Sequence, residues 1–132
     1  IERSNLANTT LYPLAISDKK GIEKYIINNN FFYTARLDEN GEHFVQTDTL
    51  DNIVQDKRIS FIKIDVEGAE SKVIKGAINT IRNNKPRMAI SVYHKIDDYY
   101  TIAEELLNIC PSYKFKLRHY HTDVIETILY AY

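Results

Sequence analysis

Ile59-Ser60-Phe61-Ile62-Lys63-Ile64-Asp65-Val66-Glu67-Gly68-Ala69-Glu70 is the stretch from which the fold of this chain is read. A short apolar run from Phe61 to Ile64 ends in Asp65, and two more carboxylates and a glycine follow. A buried parallel strand that delivers acidic groups to its carboxyl end and then turns into a helix reads this way. In open α/β sheets, ligands bind in the crevice outside the carboxyl ends of the strands. Burying three carboxylates is costly, so Asp65, Glu67 and Glu70 are expected to line a cleft or face water.

Downstream, Val73, Ile74, Ala77, Ile78 and Ile81 form a single apolar stripe at helical spacing. Asn83-Asn84-Lys85-Pro86 stops that helix. Residues 87–93 read as a second buried strand ending in His94. Asp97-Asp98 opens a further helix, whose core face is Ile102, Ala103, Leu106, Leu107 and Ile109, and Pro111 ends it. Residues 113–120 and 126–132 alternate as an antiparallel pair about a turn at His121-Thr122-Asp123.

Upstream, residues 9–17 read as a strand, with Pro13 suggesting an edge or an irregularity. A turn cluster at Ser17 to Gly21 precedes a short strand over 22–27, and Asn28 to Asn30 form a polar break. Residues 31–41 read as loop with a hairpin-like turn at Glu39-Asn40-Gly41, and His43 to Gln46 as a strand. A short helix runs to about Val54, with Thr47 or Asp48 as its N-cap. Strands alternating with helices predict right-handed crossovers and a mostly parallel α/β sheet in one domain over 1–132.

The chain has 132 residues, enough for one domain with a real core. Its net charge of −1 argues against a broad nucleic-acid or membrane surface. No apolar run approaches the roughly 20 residues of a membrane span. No signal peptide is visible, so a cytoplasmic location is expected, although the chain opens on Ile1 rather than Met. The single cysteine, Cys110, excludes an internal disulfide and reads as a packing residue. The sequon Asn8-Thr9-Thr10 is too short a pattern to carry weight.

Lys63-Ile64-Asp65-Val66-Glu67-Gly68-Ala69-Glu70, followed by Val73-Ile74-Lys75-Gly76-Ala77, resembles the hallmark segment of FkbM-type methyltransferases. Ala15-Ile16-Ser17-Asp18-Lys19-Lys20-Gly21, Thr47-Asp48-Thr49-Leu50-Asp51, Pro86, Tyr93-His94, Leu117 to Tyr120 and Glu126 to Tyr130 are similar to flanking segments of the family in the same order. The resemblance implies a Rossmann-like class I fold with antiparallel C-terminal strands, and S-adenosylmethionine as cofactor. Similar enzymes carry upstream a strand with a Gly-rich loop and a second strand ending in an acidic residue. Here the four glycines Gly21, Gly41, Gly68 and Gly76 are scattered. The chain therefore reads as the C-terminal part of such a domain, without its N-terminal strands. Residues 1–8 resemble the end of the helix after the second of those strands. A sheet edge left open in this way offers a surface for association.

By that resemblance Asp65 sits near the cofactor's sulfonium and the acceptor, where it attracts the cation or orients a hydroxyl. The bland reading is a solvated strand-end residue. Glu67 binds the acceptor or a metal, or faces water. Glu70 either reaches the acceptor or serves only the helix dipole in the first helical turn. His94, opening into the same crevice, is either a general base or a hydrogen-bonded cap. Tyr93 is expected in the core, opposite His94, if the strand runs through it. Ser17 or Asp18 contacts the adenine, or merely shapes a turn. Arg118 is expected in an ion pair. No spacing among His43, His94, His119 and His121 supports a metal set. The leading expectation is an O-methyltransferase acting on a hydroxyl of a carbohydrate or other small molecule. The competing one is a non-catalytic α/β binding or assembly module.

Overall fold

The structure, a computed structural model, describes residues 7–28, 34–123 and 125–132. Eight strands and four helices follow one another in it: β1 Ala15–Ile16, β2 Gly21–Asn28, β3 Thr34–Leu37, β4 His43–Asp48, α1 Leu50–Val54, β5 Phe61–Ile64, α2 Glu70–Lys75, α3 Ile78–Asn84, β6 Arg87–Ser91, α4 Asp98–Ile109, β7 Phe115–His119 and β8 Thr127–Ala131. They build two four-stranded sheets, ordered β1-β4-β2-β3 and β5-β6-β8-β7.

Both sheets are mixed, which corrects the expected mostly parallel sheet. In the first, only β1 and β4 are parallel, and β2 is antiparallel to both β4 and β3. The physical reason is connection length. Short turns join antiparallel strands, whereas parallel neighbours need a crossover of a dozen residues or more. Such crossovers occur in the second sheet. There α2 and α3 carry the chain from β5 to its parallel neighbour β6, and Ile64 stands opposite Ile90. β8 lies antiparallel between β6 and β7, so β5, β6 and β7 share one direction. The expected terminal antiparallel pair is present as β7 and β8.

Several local expectations change. The strand expected over 9–17 shrinks to Ala15–Ile16, as Pro13 has no N–H for a ladder. The loop expected over 31–41 contains β3, which pairs with β2 from Tyr25↔Leu37 to Asn28↔Thr34. Asn28 thus belongs to a strand, while residues 29–33 of the expected break and loop lie outside the described residues. Thr49, rather than Thr47 or Asp48, caps α1, accepting from the Asn52 N–H at 3.1 Å. The single helix expected after β5 is two helices. They break at Gly76 and Ala77, where Gly76 packs against backbone (a Cβ there would lie 2.0 Å from the Ser17 carbonyl oxygen).

The start of α3 has no cap from its own N-cap residue, Ala77. Asp51 of α1 supplies one across space. Its carboxylate accepts from the backbone N–H groups of Asn79 (2.9 Å) and Thr80 (2.8 Å) and from the Thr80 hydroxyl (2.7 Å). An orphaned helix N-terminus is thereby satisfied and α1 is tied to α3. Asp51→Ala is expected to cost about 2 kcal/mol, the upper end for a lost cap, in urea denaturation. A loss no larger than that of an exposed-surface substitution would remove this role.

The core lies between the second sheet and its helices. Ile64, Ile74, Ile81, Ile90, Ile102 and Leu106 are each at most 2% exposed, and each contributes roughly 1.5–3 kcal/mol by leaving water. Cys110 is buried in the same cluster. Leu107, expected on the core face of α4, is 40% exposed. The Tyr113 hydroxyl donates to the Pro86 carbonyl at 2.7 Å, closing the core near the start of β6.

Candidate active site

The parallel pair β5 and β6 brings its two carboxyl ends side by side, and the chain leaves each end with polar residues. After Ile64 come Asp65 and a turn in which Glu67 (φ 53°) and Gly68 (φ 93°) are both left-handed. Glycine adopts that conformation freely, but a residue with a Cβ does so at a cost of roughly 1–2 kcal/mol. Strain of this kind collects where a side chain must be aimed. The Lys95 ammonium donates to the Gly68 carbonyl and pins the turn to the segment after β6.

His94 is the hub. Its Nδ1 lies 2.8 Å from Glu70 Oε1, and its Nε2 lies 3.6 Å from Glu67 Oε2 and 3.8 Å from Asp65 Oδ1. One imidazole therefore meets all three carboxylates of the Asp65–Glu70 segment. Burial opposes charge on His94, but the Glu70 hydrogen bond and the charges of Glu70, Glu67 and Asp65 outweigh it and raise its pKa above the ordinary 6.5. Burial likewise opposes ionisation of Glu70. The hydrogen bonds from His94 and from the Val66 N–H outweigh it, and the pKa falls below 4.5. Asp65 is also lowered; desolvation is overcome chiefly by Lys63, whose ammonium is 2.9 Å away.

The three carboxylates are not equivalent. The side chains of Asp65 and Glu67 are each 36% exposed, whereas that of Glu70 is 1% exposed. This corrects two expectations for Glu70. It neither lines a cleft nor faces water, and no edge of its carboxylate is open to solvent. The first turn of α2 directs it inward, where it accepts from Val66 N–H at 3.1 Å as well as meeting His94.

Glu67, Gly68, His94 and Lys95 line one side of a cavity of about 860 Å³. Its other side includes Lys24 of β2 and Arg36 of β3, so the first sheet faces the strand ends across it. Asp65 is not part of this lining.

Ser17 and Asp18 are not brought to Asp65. Ser17 is fully buried, and its hydroxyl donates to Glu23 Oε1 at 2.6 Å. Its carbonyl lies against Gly76, at the opposite end of α2 from Glu70. Asp18 is exposed. As an adenine contact Ser17 is therefore occluded. Glu23 in turn accepts from Lys72 of α2 at 2.5 Å, which ties the first sheet to that helix.

Tyr93 is a site neighbour that sequence reasoning placed in the core. β6 ends at Ser91, so strand alternation no longer governs residue 93. Its ring lies 4.2 Å from that of His94, centroid to centroid, and its hydroxyl is 3.5 Å from Asp65 Oδ1. Desolvation and then the Asp65 charge push its pKa to about 12, so it remains a neutral donor. Lys63 was also missed. Period-two alternation along β5 puts it on the same face as Asp65, which is the signal that could have found it. Among the described residues no group of three or more His, Cys, Asp or Glu side chains is arranged to hold a metal ion. No described helix is long and apolar enough to cross a membrane.

Comparison with known proteins places the chain in a family. The methyltransferase FkbM domain matches residues 2–117. No curated protein matches the chain. The crystal structure of methyltransferase FkbM from Methylobacillus flagellatus KT is similar at 30% sequence identity with a TM-score of 0.70. The match covers 93% of this chain but 28% of that one, so the chain spans under a third of its solved relative. With the family match extending over most of its length, the chain belongs to the FkbM methyltransferase domain family.

Proposed function

We propose that the protein is an S-adenosylmethionine-dependent O-methyltransferase whose acceptor is a hydroxyl of a sugar or other small molecule. The observation that carries this reading is the His94–carboxylate cluster at the carboxyl ends of β5 and β6, beside a cavity of about 860 Å³. The donor chemistry present fits the cofactor's charge: Asp65 is an ionised, partly exposed carboxylate suited to a sulfonium. It does not extend to adenine through Ser17, whose hydroxyl is held by Glu23.

When bound, S-adenosylmethionine supplies a methyl group on a cationic sulfur that departs as a neutral thioether, so an acceptor hydroxyl gives up one proton per methyl gained. Asp65 holds the cationic side of the site. Glu67 and the cavity behind it hold the acceptor and orient its hydroxyl, which is where most of the rate gain arises. His94 takes the hydroxyl proton at Nε2, a contribution of typically 10²–10⁴-fold.

Two measurements on the full-length protein test this reading. Calorimetric titration with S-adenosylhomocysteine is expected to show saturable binding. Asp65→Asn is expected to weaken that binding and to lower turnover by at least about tenfold, since removing an ion-pairing charge forfeits more than 1.4 kcal/mol, while the fold survives. Binding and turnover unchanged in Asp65→Asn would remove Asp65 from the mechanism. Absence of S-adenosylhomocysteine binding by the wild type would favour a non-catalytic module.

A further inference from the structure

Glu70 is the most thoroughly buried acid of the site. Its side chain is 1% exposed, and Oε1 makes two polar contacts, with Val66 N–H at 3.1 Å and His94 Nδ1 at 2.8 Å. A buried, ionised carboxylate is costly unless it is paired and hydrogen-bonded. Its retention behind an imidazole therefore calls for an account beyond packing.

The other face of that imidazole supplies one. The His94 side chain is 9% exposed, and its Nε2 is buried without a hydrogen-bond partner. Nε2 points at Glu67 and Asp65, which stop at 3.6 and 3.8 Å, beyond hydrogen-bond distance. A buried polar atom left unpaired costs roughly 1–3 kcal/mol. A hydroxyl seated between the two carboxylates and donating its O–H to Nε2 would satisfy it. Both carboxylates are partly exposed and have solvent to move into as they admit it.

We propose that Glu70 is the positioning residue of this site: by gripping Nδ1 of His94 it fixes the proton there in the neutral imidazole and presents Nε2, bare, to the acceptor hydroxyl between Asp65 and Glu67. The inference deepens the methyltransferase reading and rests on it for the identity of the hydroxyl. The hydrogen bond at one ring nitrogen decides which tautomer the other presents. With Nδ1–H donating to Glu70, the lone pair of Nε2 accepts the hydroxyl proton, and the imidazolium so formed is stabilised by the Glu70 charge. Proton and charge are conserved: the oxygen loses H⁺, Nε2 gains it, and solvent later removes it. The charged and titratable groups around His94 are Asp65 after β5, Glu67 in the turn, Glu70 on α2, the neutral Tyr93 hydroxyl beside the ring, Lys95 ahead of α4 and Asp98 in its first turn. Of these, Glu70 alone lies within hydrogen-bond distance of the ring.

The test is nitrogen-15 NMR of the histidine side chains in the full-length protein, with His94 assigned by through-bond connectivity. It is read without cofactor or acceptor, so its outcome is independent of S-adenosylhomocysteine binding. In the wild type, above the titration midpoint, the remaining proton is expected on Nδ1. In Glu70→Gln, which keeps the side-chain shape and an acceptor oxygen, the midpoint is expected to move down. Glu67→Gln should move it less. A residue that merely packs would alter stability without changing tautomer or midpoint. An Nε2–H tautomer in the wild type overturns the proposal even if Glu70→Gln fails to fold, and so does an unchanged midpoint in a folded Glu70→Gln.

Discussion

Gly76→Ala is expected to destabilise this domain by about 3 kcal/mol or more, beyond the usual 1–3 kcal/mol of an overpacked site. Backbone conformation is not the reason. Gly76 sits at φ −78°, ψ 0°, which any residue adopts. The reason is space. An added Cβ would stand 2.0 Å from the Ser17 carbonyl oxygen, 3.1 Å from its carbon and 3.4 Å from the Thr49 Cα, and all three are backbone. None can rotate away. The strands and helices meeting there are also bonded to one another: Ser17 N–H donates to the Asp48 carbonyl and Asp51 N–H to that of Gly76, at 2.9 and 3.0 Å. A shift that relieved the clash would pull on β1, α1 and the α2–α3 break together. Against a typical domain stability of about 5–15 kcal/mol, that is a large fraction. Gly21→Ala is the control, since its Cβ would meet only the Thr47 hydroxyl oxygen, at an ordinary 3.7 Å. Urea denaturation of the two variants should separate them clearly. Equal losses would mean that the contact at Gly76 relaxes.

His94→Ala should be the second large effect, at about 3–5 kcal/mol, because it strands the Glu70 charge in the interior. Glu70 is 1% exposed and the His94 side chain 9%, so solvent screens this pair little. The contacts to Asp65 and Glu67, each 36% exposed, add less. The pH dependence follows from the two shifts. Glu70 has a lowered folded-state pKa, so its stabilisation is present above the ordinary 4.5 and is lost as pH falls through the folded value. His94 has a raised one, so its stabilisation is full below the ordinary 6.5 and is lost as pH rises through the folded value. The pair therefore contributes most between about 4.5 and 6.5. The stability difference between wild type and His94→Ala should peak in that window and narrow on both sides. Denaturation curves below, within and above it provide the measurement. A difference independent of pH would assign the loss to the cavity left by the ring rather than to the ion pair.

Elements with strong internal periodicity were legible in the sequence. β5, β6, α4 and the β7–β8 pair all stand where pattern and turn residues put them, within a few residues. β3 was not, since Thr34–Leu37 is short and becomes a strand only by pairing with β2. The break between α2 and α3 was equally hidden. The apolar stripe from Val73 to Ile81 runs straight through it, and the break falls where Gly76 packs against the backbone of Ser17, nearly sixty positions away in the chain.

The same division holds at the site. That Asp65 ends one strand and His94 follows another is a local property of apolar runs and their polar stops, and the sequence by itself determined it. Local pattern also placed Glu70 in the first turn of the following helix. That Asp65 and His94 lie within 4 Å of each other was decided by the tertiary structure, through the crossover that sets Ile64 opposite Ile90. Which of three nearby carboxylates is buried was decided there too. Glu67 and Glu70 are three residues apart and chemically alike, yet one lines a cavity and the other lies behind the imidazole. Periodicity specifies which face of an element a residue occupies, but the partner across that face is fixed only when separate elements pack, and burial and charge pairing depend on the partner.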